Sequence, residues 1–160
     1  MSDERWETRI ADIWRTAADA SDETVLEAID AVVAERRADD PAAVFEAASV
    51  RDYIGREREA APLYKRALAL GLSGDRRSQA VIQLASTLRN LGQYEEALGL
   101  LHQQLDERPD DAWAAPTKAF LSLVLASSGH SVAAASVALG TLADYLPAYG
   151  NSVRTYAAEL

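Results

Sequence analysis

Five columns of residues recur along this chain at a step of 37 positions. Gly55, Gly92 and Gly129 set the phase. Ala60, Ala97 and Ala134 follow five positions after each glycine, and Leu68, Leu105 and Leu142 follow thirteen after. Seven positions before each glycine stands a small residue, Ala48, Ala85 or Ser122, itself preceded by Ala47, Leu84 or Leu121. A fixed period in this range marks stacked units, each of which buries its apolar side only against its neighbours. A chain with this feature is confined to repeat architectures.

Composition says what the unit is made of. Of the 160 residues, 32 are Ala and 19 are Leu, both strong helix formers, and no long alternating β-branched run occurs. Each phase glycine can take the left-handed conformation that ends a helix. The alanine columns let two helices approach closely, and the leucine columns fill the space between units. Asp40 and Pro41 read as an N-cap followed by proline in the first turn. Asp75 is predicted to cap a helix from Arg76 to Leu91, and Ser131 to cap the helix after Gly129. Pro109 stops the helix that begins after Gln93. The predicted unit is an antiparallel helix pair, present three times.

Residues 78–111 resemble a tetratricopeptide repeat. Leu84-Ala85, Leu88, Gly92, Tyr94, Ala97, Leu101 and Pro109 fall on its signature columns. Residues 41–74 resemble it through Ala47-Ala48, Gly55, Ala60, Tyr64 and Ala67. Residues 115–147 do so through Leu121, Ser122, Leu125, Gly129 and Ala134. Each unit here carries about three residues more than the family's usual length, and Gln104 and Thr141 replace its usual late alanine. The layout is similar to that of a group of small bacterial tetratricopeptide proteins; the excess of Arg over Lys, 14 to 2, points to a GC-rich bacterial genome. The resemblance implies an all-α fold, a right-handed superhelical stack of antiparallel helix pairs forming one domain over 1–160.

The ends lack the signature. Trp6, Ile10, Ile13 and Trp14 form an apolar stripe at helical spacing. Ser21 reads as an N-cap before a second stripe of Val25, Ile29, Val32 and Val33. Residues 1–38 are therefore an expected capping helix pair, and residues 148–160 an expected closing helix, since terminal units of such stacks are atypical.

Charge and missing motifs exclude several functions. A formal net charge of -9 and a pI near 4.7 leave no basic face for nucleic acid or an anionic membrane. No apolar run reaches the roughly 20 residues that span a bilayer, and MSDERWETRI has neither the basic start nor the apolar run of a secretion signal. The expected location is the cytoplasm. With no Cys there is no disulfide frame, thiol nucleophile or Cys-based metal site. His102 and His130 have no carboxylates at ligand spacing and read as surface residues. Residues 71–74, GLSG, read as a turn between helices, because no Lys-Ser/Thr follows. Asp39-Asp40, Glu95-Glu96 and Asp110-Asp111 read as complements to helix dipoles. Trp6, Trp14 and Trp113 read as packing residues, as does Tyr64. No catalytic residue, metal or cofactor is expected.

The resemblance also implies a binding face, since first helices of such pairs line a concave groove and second helices the convex side. The repeat step then gives four columns: Phe45, Ile82 and Ala119; Ser49, Ser86 and Leu123; Asp52, Arg89 and Ala126; Tyr53, Asn90 and Ser127. With Gln79 and Gln83, the candidate peptide-binding residues are Phe45, Ser49, Asp52, Tyr53, Gln79, Ile82, Gln83, Ser86, Arg89 and Asn90. Arg89 and Asn90, a helical turn from Ser86, can hold a peptide carboxylate or amide. The Lys, Asn and Arg clamp by which some members grip chaperone tails is absent: Phe45, Ser49, Gln83, Pro116 and Phe120 stand in its place. The leading expectation is a non-enzymatic scaffold for a protein or peptide partner.

Two alternatives come from elsewhere in the chain. Residues 1–40 hold 12 acids against 5 bases, a net of -7, whereas residues 112–160 are neutral and residues 119–143 carry no charge. Either the last helix covers that uncharged stretch or another chain does, which makes a homodimer through 119–143 a second expectation. A regulatory domain that senses a small ligand is a third.

Overall fold

A computed structural model describes residues 3–109 and 111–160. Asp110 and the first two residues, all three of which entered the sequence reading, lie outside the described residues. Those described form nine α-helices and two short 3-10 turns, without a strand. The fold is all-α and is built of helix pairs. The chain divides into two compact units, residues 1–80 and residues 81–160.

The first unit opens with α1 (Asp3–Thr16) and α2 (Asp22–Val33), the expected capping pair. Ser21 Oγ accepts from the Thr24 amide at 3.2 Å, so the predicted N-cap forms. Next come α3 (Pro41–Tyr53) and α4 (Glu57–Ala69). Asp40 Oδ1 accepts from the Ala43 amide at 3.0 Å, and Pro41 occupies the first turn. Gly55 turns the chain at φ +74, where a Cβ would be strained. Neighbours in sequence are neighbours in space: α1 packs on α2, α2 on α3 and α3 on α4.

The core of this unit is the pair of predicted stripes. Trp6, Ile10, Val25, Ile29 and Val32 are buried together with Ala43 and Val50 of α3. Each large side chain there contributes about 1.5–3 kcal/mol by leaving water. Trp6 keeps its polar atom satisfied, its Nε1 donating to the Val32 carbonyl at 3.0 Å. Arg36 lies over its ring, 3.8 Å from the centroid.

The helix α5 (Gly74–Asn90) runs through the boundary between the units. It begins at Gly74, two residues earlier than predicted, so Asp75 lies in its first turn, where its charge still suits the helix dipole. The second unit continues with α6 (Tyr94–Glu107), α7 (Ala114–Ser127), α8 (Ser131–Leu142) and α9 (Gly150–Ala158). Within it, α6 packs on α7, α7 on α8 and α8 on α9. Gly92 and Gly129 repeat the turn of Gly55, at φ +75 and +89. Ser131 proves to be the first helical residue; the cap position belongs to His130, which makes no capping bond. The closing helix is held to α8 by Ser136 Oγ, which donates to the Ala157 carbonyl at 2.7 Å.

Candidate functional site

The predicted lining residues of the first unit separate by depth. Phe45 is buried, its ring centroid 6.1 Å from that of Tyr64. Ser49 is buried as well, and its hydroxyl donates to the Phe45 carbonyl at 3.0 Å. The fully buried Tyr64 hydroxyl donates to Asp52 at 3.4 Å and lies 3.5 Å from Ser49 Oγ. Burial first, and the Asp52 charge second, push its ionisation far above the ordinary range, so the phenol stays protonated. Tyr53 is half exposed, with the Trp14 ring edge-on at 5.6 Å. Asp52 and Gln79 are partly exposed. Phe45 and Ser49 thus serve the packing of α3, and Asp52, Tyr53 and Gln79 keep accessible surface.

In the second unit the set lies on the C-terminal half of α5. Ile82 is buried. Gln83, Ser86 and Arg89 are partly exposed and Asn90 is exposed. Their spacing of three, three and one along a helix puts these four side chains on one face. Arg89 Nη2 donates to Asn90 Oδ1 at 3.1 Å, and Arg89 makes no ion pair among the described residues. The face carries hydrogen-bond donors and a positive charge.

A polar cluster that no local pattern announces lies in the first unit. Glu46, on α3, is 4% exposed. Its Oε2 accepts from Trp14 Nε1 of α1 at 2.8 Å. Its Oε1 accepts from Arg76 of α5, from Nε at 3.1 Å and Nη2 at 2.9 Å. The same guanidinium donates to both oxygens of Glu7, at 2.8 and 2.6 Å. One arginine therefore ties α1, α3 and α5 through two carboxylates. Its hydrogen bonds hold Glu7 below the ordinary carboxylate value. Burial moves Glu46 the other way, although Trp14 and Arg76 oppose it. Trp14 is thus a packing residue with a specific polar task.

His102 is exposed on α6, and His130 Nδ1 lies 3.0 Å from Ser128 Oγ. Among the described residues no three His, Cys, Asp or Glu side chains group as metal ligands. Among those residues, too, no helix is long and apolar enough to cross a membrane.

The repeat phase, the positive-φ glycines and the neighbour-on-neighbour helix pairs decide the comparison with known proteins. The family model described as Tetratrico peptide repeat matches residues 41–160. The chain belongs to this family. The fold of the tetratricopeptide chain is also that of solved structures. The nearly identical TPR-like repeats of a Podosopora anserina protein assigned as a kinesin light chain superpose with a TM-score of 0.74, at 19% identity, over 97% of this chain and 90% of that one. The MamA RS-1 ArsTM double mutant superposes with a TM-score of 0.65, at 18% identity, over 99% of this chain and 91% of that one. No curated protein matches the sequence. The match begins at Pro41, so the helix pair α1–α2 lies outside the tetratricopeptide signature that the rest of the chain carries.

Proposed function

We propose that the chain is a non-enzymatic scaffold that binds a protein or peptide segment on the first helices of its pairs. Tetratricopeptide repeats generally mediate protein–protein interaction. The observation that carries the reading to a site is Arg89, a partly exposed guanidinium without an ion pair among the described residues. Many of the chain's other arginines face acids: Arg9 pairs with Glu35, Arg51 with Asp30, Arg76 with Glu7 and Glu46. Arg89 is held instead by a neutral amide, which orients it without neutralising it. It suits a carboxylate or a backbone carbonyl of an extended segment, with Asn90, Ser86 and Gln83 adding hydrogen bonds on the same face. Asp52, Tyr53 and Gln79 form a separate accessible set in the first unit.

The test is capture of partners by wild type and by the Arg89→Glu, Asn90→Ala double variant, each checked first for helix content and solution mass. The expected result is a protein held by wild type, lost from the variant, and bound again as a purified segment with at least tenfold weaker binding to Arg89→Glu. Equal capture by both baits would remove Arg89 from the site and the reading with it.

A further inference from the structure

The ring of Tyr64 packs against Phe45, a task that phenylalanine would meet as well. Its hydroxyl is the additional atom. The residue is fully buried, and the hydroxyl donates to Asp52 Oδ2 at 3.4 Å, with Ser49 Oγ 3.5 Å away. A buried hydroxyl is costly unless it is bonded, so this one is tied to the carboxylate above it. Asp52 is partly exposed. A carboxylate has about four acceptor positions, and Tyr64 takes one of them. Next to Asp52, Tyr53 is 49% exposed and braced by Trp14, their ring centroids 5.6 Å apart at 75°. Trp14 is fixed in turn by its bond to Glu46. The last turn of α3 therefore presents a carboxylate and an aromatic ring, each held by another side chain.

We infer that Asp52 and Tyr53 form a subsite for an arginine side chain of a bound segment, with Tyr64 as the positioning residue for Asp52. Charge favours a cation here. Arg51, on the same helix, faces Asp30 at 3.0 Å and Glu59 at 3.7 Å. Arg76 faces Glu7 at 2.6 Å and Glu46 at 2.9 Å. These two guanidiniums serve four carboxylates before Asp52 is counted. After burial, the charges of Asp52 and Glu46 both push the Tyr64 ionisation upward, so both acids act on one hydroxyl. Residues 1–80 hold 17 acids against 12 bases, a net of -5.

The geometry of the pair selects arginine among cations. Adjacent helical residues diverge by about 100°, so Asp52 and Tyr53 are bridged best by a long side chain with a flat charged head. A guanidinium can donate to Asp52 while its plane lies on the Tyr53 ring. An ammonium brings the charge without the plane. The inference rests on the scaffold reading proposed above, but not on Arg89, which lies on α5 and suits the opposite charge.

The test is an array of short peptides probed with the full chain, each sequence made with Arg, citrulline, Lys or Glu at one fixed position. Citrulline keeps the shape of arginine without its charge. Wild type should hold its best arginine peptide about tenfold more tightly than the citrulline twin, with the lysine twin between. Asp52→Asn should erase that preference with helix content unchanged, and Tyr53→Ala should weaken the arginine peptide about threefold. Tyr64→Phe keeps the ring and should retain only part of the preference, which a purely packing role would leave whole. Arg89→Glu should leave the preference standing. Should Asp52→Asn fold poorly, Tyr53→Ala and Tyr64→Phe read the same preference. Peptides bound without a preference for arginine, or a preference that survives Asp52→Asn in a folded variant, overturn this inference and leave the scaffold reading in place. Binding of no peptide at all overturns both.

Discussion

The two units use one helix-pair backbone and two different chemistries to join the pairs. In residues 1–80, ion pairs run from helix to helix: Arg51 of α3 to Asp30 of α2, and Arg76 of α5 to Glu7 of α1 and Glu46 of α3. Among the described residues of 81–160 the buried side chains are uncharged, Leu101, Leu121, Val124, Ala134 and Ala157 among them. At Gly150 backbone lies against backbone: a Cβ added there would lie 2.6 Å from the Ala143 carbonyl oxygen. Directional charge fixes the register of three helices at once but leaves acids that respond to pH. Uncharged packing is indifferent to pH, and α8 keeps an apolar side. The repeat therefore specifies the turn and the close approach, and leaves the glue between pairs free to vary.

The sharpest way to break this contrast is Arg76→Met. It strands Glu46, at 4% exposure, as a buried carboxylate beside Glu7, and the expected loss is about 3–5 kcal/mol in urea unfolding. Adding Glu46→Gln should restore most of it, since the stranded charge is then gone. A loss under about 1 kcal/mol would make the charge cluster ornamental. For the second unit the matching change is Gly150→Ala. The obstacle is backbone, so the chain must shift, at an expected cost of about 1–3 kcal/mol. Hydrogen exchange should show the loss in the amides of α9, with those of α1–α3 unchanged.

The smallest effect concerns pH. Glu7 is held below its ordinary value by the Arg76 hydrogen bonds, so its stabilisation is complete above that ordinary value and disappears as the pH falls through the lowered one. Glu7→Gln should therefore cost about 1 kcal/mol at neutral pH, discounted for solvent screening, and the gap to wild type should close as the pH is taken below about 4. Glu46 works in the opposite sense: its raised value favours the fold in acid and loses that contribution as the pH rises. A gap that stays constant from neutral pH down to pH 3 would show that Glu7 acts through shape and not charge.

The features that sequence revealed are those carried by local period. Gly55, Gly92 and Gly129 turn the chain at positive φ as their phase implied, and Ser21 and Asp40 cap their helices. Errors of position arose where a side chain had two local uses. Asp75 and Ser131 could cap a helix or begin one, and both lie inside. The depth of Phe45 and Ser49 was not legible, because the repeat step gives a residue's column but not what covers it. The Glu46 cluster was still less so. A lone glutamate in a helix usually faces water, and its partners stand 32 positions before it and 30 after. Only the packing of three helices brings them together.

That cluster also gives the making of the protein a schedule. The contact between Arg76 and Glu7 spans 69 positions, in a fold whose other partners are mostly sequence neighbours. During synthesis, α1, α2 and α3 leave the ribosome with Glu7 and Glu46 present and their shared cation still to come. At about 5–20 residues per second the wait from residue 46 to residue 76 lasts about 2–6 s. For that interval the nascent first unit holds two acids awaiting one arginine, and it closes only when the first turn of α5 emerges.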